Sequence, residues 1–115
     1  DGGFMYNVQE LATAVKYNVP VVAIVFADGA FGNVRRMQEN LYDGRTIASD
    51  LTNPDFVALA ESFGCAAYRA ETPEDLAKVL PTAFKQTVPV VIEVPFPKTP
   101  DPWPIIIPGR NRPAR

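Results

Sequence analysis

Residues 1–36 read DGGFMYNVQELATAVKYNVPVVAIVFADGAFGNVRR, and this stretch decides the fold class. Met5, Val8, Leu11, Ala12 and Val15 recur at steps of three and four, which predicts a helix over Phe4–Tyr17 with one apolar face. Asn18-Val19-Pro20 ends it. Val21 to Phe26 is apolar throughout and rich in β-branched residues. A strand apolar on both faces belongs inside a parallel sheet covered by helices. A loop follows over Gly29–Gly32, then a charged helix from Asn33 to about Tyr42.

The pattern repeats downstream. Asn53-Pro54 opens a helix with Asn as its cap, and Phe56, Leu59, Ala60 and Phe63 form its buried stripe. Gly64 stops it. Cys65–Tyr68 is a short strand. Thr72-Pro73-Glu74-Asp75 begins a further helix with a cap, a first-turn proline and acids at the positive end of the dipole. Its apolar face is Leu76, Val79, Leu80, Ala83 and Phe84, and Pro81 is a candidate kink. Val88–Val94 is a second strand of the fully buried kind. Helix alternating with strand predicts an α/β fold: a parallel sheet with flanking helices. Prolines 95, 97, 100, 102, 104, 108 and 113 make the end of the chain an extended Pro-rich C-terminal tail, with Trp103 and Ile105–Ile107 as anchors onto another surface.

At 115 residues the chain makes at most one small domain. A helix beginning at Phe4 calls for a strand before it, and three strands with their helices leave an apolar sheet edge open. The expected organisation is therefore a partial domain over 1–95 that lacks its first strand or strands, with a tail over 96–115. The 21% charged residues and net charge of −2 carry no basic surplus for nucleic acid. No apolar run reaches membrane-spanning length. The single cysteine, Cys65, closes no internal disulfide and sits among apolar residues, which fits an inert buried thiol in a reducing, cytoplasmic setting. The absence of histidine removes His-based triads, bases and metal sites.

Chemistry is expected at the carboxyl ends of the strands, where parallel α/β sheets bind ligands. Asp1 and Asp28 both reach that edge, separated by one crossover. Gly2 and Gly3 permit close backbone approach at a helix start, an anion-binding arrangement. Two hard oxygen ligands beside an anion suggest Mg²⁺ bridging to a phosphate. On these residues alone, a plain Asp-Gly turn competes with that reading.

The same residues bear a resemblance. Asp1-Gly2 match the second and third positions of a Gly-Asp-Gly motif, and Ala27-Asp28 stand in the place of the Asn-Asn that follows about two dozen residues later. The text GFMYNVQELATAVKYNVPVV between them and GNVRRMQENLY after them match as well. Over residues 1 to about 95 the chain resembles the C-terminal diphosphate-binding domain of thiamine-diphosphate-dependent enzymes of the acetolactate synthase and 2-oxo acid decarboxylase group. The resemblance implies thiamine diphosphate and Mg²⁺ as cofactors. It implies Asp1, Asp28 and the Ala30 carbonyl as metal ligands, and Gly2, Gly3, Gly32 and Asn33 along the cofactor. It implies decarboxylation of a 2-oxo acid with the cofactor as electron sink, then protonation or carboligation. It also implies a homodimer or homotetramer in the full-length protein, and an activating glutamate outside these residues, so that no catalytic residue is expected here and the isolated chain is inactive. Two departures stand out. Asp28 replaces an Asn and adds negative charge beside a diphosphate, for which Arg35 or Arg36 is the candidate compensation. Met37 replaces the Trp of plant-type acetolactate synthases. Other readings are a nucleotide- or partner-binding α/β domain without this chemistry, or an inactive truncated relative. Asp1-Gly2-Gly3 lacks the G-x-G-x-x-G spacing that dinucleotide binding would need.

Overall fold

A computed structural model of the chain describes residues 1–97 and Ile106. Helices α1 (Gly2–Met5) and α2 (Glu10–Lys16) precede strand β1 (Val22–Ala27). Helix α3 (Gly32–Leu41) and helix α4 (Phe56–Phe63) lead to β2 (Ala66–Arg69), and α5 (Pro73–Ala83) leads to β3 (Val90–Pro95). The three strands form a parallel sheet in the order β1-β3-β2, with Val22 and Ala66 both in register with Val90. The α/β class and the parallel pairing are as the sequence pattern predicts.

The sheet is packed on both faces, and strand alternation sorts the residues. On one face Val25 and Val91 join Leu11, Phe56, Ala60 and Cys65, with Phe4, Val8 and Val15 against them. Helices α1, α2 and α4 cover this side. On the other face Val90, Ile92 and Ala70 pack with Ala83, Leu76, Val79 and Leu80 of α5. Burial raises the pKa of the Cys65 thiol, which keeps it protonated and unreactive.

Three local expectations change. The helix predicted over Phe4–Tyr17 is two helices, α1 and α2, joined by turns at Tyr6–Gln9. Tyr6, Asn7 and Val8 are weak helix formers, and the chain crosses them with bonds to the third residue back (Glu10 N to Asn7 O, Leu11 N to Val8 O). Helix α4 is capped by Asp55, whose side chain accepts from Ala58 N, and not by Asn53. The third change concerns β1, an outer strand of the three within these 115 residues. Ile24 (39%) and Phe26 (50%) lie on the same face as Ile92 but beyond the cover of α5, at the apolar edge that three strands leave open. Two other expectations hold. Thr72 caps α5 in a reciprocal box with Asp75, and Gly64 ends α4 at φ 89°. Helix α5 runs through Pro81 to Ala83. The expected tail anchors Trp103, Ile105 and Ile107 lie outside the described residues.

Candidate functional site

Strand β1 runs into the loop Asp28–Phe31, and the end of β3 lies beside it, where Phe96 N donates to Ala27 O at 2.9 Å. A short antiparallel bridge pairs Ala30 with Asp50. Its hydrogen bonds run from Phe31 N to Ser49 O and from Leu51 N to Gly29 O, each 2.8 Å. The neighbours of Ala30 make these bonds, so its own carbonyl points away from residues 49–51. Among the described residues nothing donates to that carbonyl, which leaves it available as a ligand.

Asp1 reaches the same loop. Its Oδ2 accepts from Gly29 N at 2.8 Å, and its amino group donates to Phe26 O at 2.9 Å. The two Asp-Gly steps predicted to share a sheet edge are thus joined by a direct hydrogen bond. Asp1 Oδ1 also accepts from Gly2 N at 2.7 Å and caps α1.

The glycines divide by role. A Cβ on Gly2 would lie 2.4 Å from the Phe31 ring, so its missing side chain serves packing, and its N–H is taken by Asp1. A Cβ on Gly3 would meet nothing within 4 Å, so Gly3 opens onto free space where a ligand can approach. Gly32 keeps room for Asp28, since a Cβ there would come 3.0 Å from Asp28 Oδ2. Gly32 and Asn33 form the start of α3, which has no side-chain cap. The first turn of α1 is less suited to anions than its sequence suggests. It is a single turn whose first N–H already binds Asp1.

The extra charge on Asp28 is balanced differently from expectation. Arg35 pairs with Asp50 at 2.7 Å and with Glu39 at 3.3 Å, and Arg36 donates to Asn33 Oδ1 at 2.8 Å. Among the described residues no cation pairs with Asp28. It lies instead beside the uncapped N-terminus of α3 and accepts weakly from Ala30 N at 3.4 Å. The positive end of the helix dipole is the nearest compensation.

One residue escaped the sequence reading. Asn53 Nδ2 donates to Asp1 Oδ2 at 2.6 Å, across 52 positions of chain. Two residues on, Asp55 pairs with Arg69 at 2.9 Å, and Arg69 is held in turn by the buried Glu93 of β3 at 2.9 Å. The hydrogen bond from Ala58 N, and then Arg69, hold the Asp55 carboxyl below its ordinary range. Asp55 first, and Glu93 with it, raise Arg69 above its own. The signal that could have found Asn53 is the second cap candidate at Asp55, which frees the Asn53 side chain for another partner.

Two carboxylates and a free carbonyl are hard oxygen donors suited to Mg²⁺. No group of three or more His, Cys, Asp or Glu side chains is poised for a metal among the described residues. A cation here would therefore depend on main-chain, water and phosphate oxygens as well. The donor set and the open space at Gly3 fit a metal with a diphosphate.

The family model described as "Thiamine pyrophosphate enzyme, C-terminal TPP binding domain" matches residues 1–94. The chain belongs to that family. The chain is 43% identical over 95 residues to the acetolactate synthase of Bacillus subtilis (strain 168), covering 83% of this chain and 16% of that protein. It is 35% identical over 113 residues to the acetolactate synthase large subunit of Parasynechococcus marenigrum (strain WH8102), covering 96% and 18%. It is 31% identical over 112 residues to the acetolactate synthase isozyme 2 large subunit of Escherichia coli (strain K12), covering 96% and 20%. The chain thus spans less than a quarter of the length of these relatives. No helix among the described residues of the domain is long and apolar enough to cross a membrane.

Proposed function

We propose that this chain is the C-terminal cofactor-binding part of a thiamine-diphosphate- and Mg²⁺-dependent enzyme acting on 2-oxo acids, an acetolactate synthase-like carboligase or decarboxylase. The observation that carries the reading is the hydrogen bond from Gly29 N to Asp1 Oδ2. It joins the two ends of the family motif at one sheet edge. Asp1, Asp28 and the Ala30 carbonyl would hold Mg²⁺, while Gly3, Gly32 and Asn33 would border the diphosphate. When bound, the cofactor supplies the electron sink for decarboxylation. This chain's residues contribute binding and orientation: the Asp1 carboxylate is fixed by three donors, and the Asp28 carboxylate has its space kept by Gly32.

Residues 1–95 would form the cofactor-binding part and 96–115 the tail, in a protein that works as a homodimer or homotetramer in the cytoplasm. The activating glutamate would come from outside these 115 residues. The 115-residue chain alone would then release no CO₂ from pyruvate above a protein-free control when given cofactor and Mg²⁺.

The test is calorimetric titration of the intact protein with thiamine diphosphate, with and without Mg²⁺. The expected outcome is Mg²⁺-dependent binding that is lost in Asp1→Ala. Binding of a nucleotide but not of thiamine diphosphate would replace this reading with a nucleotide-binding α/β domain. Silence toward both ligands would leave a partner-binding domain or an inactive relative.

A further inference from the structure

We infer that Asn53 is the positioning residue that selects which oxygen of Asp1 faces the metal, an inference that rests on the reading of Asp1 as a metal ligand. A carboxylate only accepts, so the side-chain amide of Asn53 must turn its nitrogen toward Asp1. Oδ2 of Asp1 then receives two donors, Asn53 Nδ2 at 2.6 Å and Gly29 N at 2.8 Å. Oδ1 receives one, Gly2 N at 2.7 Å. An ionised carboxylate oxygen has about two acceptor sites. Oδ2 is therefore filled, and Oδ1 keeps a free position for a cation. Without Asn53 the two oxygens would be alike in donor count, each keeping one backbone N–H.

Asn53 is held from both sides. Before it, the bonds Phe31 N to Ser49 O and Leu51 N to Gly29 O tie its strand to the loop that carries Asp28 and Ala30. After it, Pro54 restricts Asn53 to extended backbone. Asp55 caps α4 and pairs with Arg69. Arg69 is anchored on Glu93 through Nε at 3.1 Å and Nη2 at 2.9 Å. Glu93 is 9% exposed and lies in the central strand. The path from Glu93 through Arg69 and Asp55 to Asn53 thus transfers the rigidity of the sheet to the Asp1 carboxylate. Partners that orient a metal ligand typically change metal affinity by 10–100-fold when removed.

The experiment is a double-mutant cycle on the intact protein, with Mn²⁺ as the probe ion and thiamine diphosphate present. Bound Mn²⁺ is read by electron paramagnetic resonance, and folding is read by thermal melting. Asn53→Ala should weaken Mn²⁺ binding about ten-fold. Asn53→Ser, a shorter donor, should fall between Asn53→Ala and the parent. In an Asp1→Asn background the further loss from Asn53→Ala should vanish, because the residue acts through Asp1. The inference is overturned if Asn53→Ala and Asn53→Ser lower the melting temperature and leave Mn²⁺ binding unchanged. It is equally overturned if the loss is the same in both backgrounds. If Asp1→Asn alone leaves Mn²⁺ binding unchanged, the metal reading of Asp1 fails, and the inference fails with it.

Discussion

Strands β1 and β3 look alike in sequence and live in different surroundings. Both are six-residue, largely apolar runs that pair in parallel, β3 carrying one charge at Glu93. In β3, Val90, Val91 and Ile92 are buried and even Glu93 is mostly enclosed. In β1, only Val25 is fully buried, and Ile24 and Phe26 look out from the sheet edge. An all-apolar run identifies a strand of a parallel sheet but does not say whether that strand lies in the middle. The difference also divides the work. Strand β3 carries the core, and β1 ends at the loop that carries Asp28 and receives Asp1.

This contrast can be broken by experiment. Ile92→Ala removes a fully enclosed side chain and should cost about 2–5 kcal/mol, enough to unfold much of a small domain. Ile24→Ala, in the same 115-residue chain, should cost well under about 1 kcal/mol, because Ile24 is already 39% exposed there. Urea denaturation of both variants measures the two values, and equal losses would remove the distinction between β1 and β3.

A second test asks whether the end of β1 carries function and little stability. Asp28→Asn removes one negative charge beside the proposed diphosphate site. It should tighten Mg²⁺-dependent thiamine diphosphate binding by on the order of 1 kcal/mol, several-fold in Kd, with the melting temperature nearly unchanged. Calorimetry on the parent and variant decides it. Weaker binding would show that the Asp28 carboxylate is worth more as a ligand than it costs as a charge.

Gly32→Ala acts at the same place by sterics. The added Cβ would press on Asp28 Oδ2, so cofactor binding should weaken while α3, which tolerates alanine, stays formed. Circular dichroism alongside calorimetry separates the two effects.

The smallest effect belongs to the other half of the molecule, at the cap of α5, and is visible only in acid. The hydroxyl of Thr72 holds the Asp75 carboxyl below its ordinary pKa. A carboxyl with a depressed folded-state pKa adds stability above its unfolded value of about 3.9, and that stability is lost as pH falls through the folded value. Asp75→Asn should therefore lag the parent by a constant margin above about pH 5, and the gap should close below about pH 4. Melting temperature followed against pH checks the sign. No change at the proposed site is expected.

What could be read beforehand was local or topological. The Thr72–Asp75 box and the Gly64 stop each span a few residues and need no distant partner, so their sequence patterns sufficed. The meeting of Asp1 with the Asp28–Gly29 turn followed from parallel topology, which brings successive strand ends to one edge. Other features depended on competition. Asn53 and Asp55 are both good caps separated by a proline, and the fold settled the choice by giving Asn53 a carboxylate to bind. Arg35 looked free to neutralise Asp28 until Asp50 and Glu39 were seen to hold it.

By itself, then, the chain's order of apolar runs, turns and caps determined an α/β domain with a parallel sheet, and its Asp-Gly motifs pointed to the end of the sheet where chemistry belongs. Tertiary structure decided that β3 runs between β1 and β2. It also decided that Asn53, 52 residues away, orients Asp1. The reason is physical. Helix, strand and cap preferences are set by neighbouring residues. Strand order and a hydrogen bond across the chain are set by which surfaces can be buried together, and no single segment contains that information.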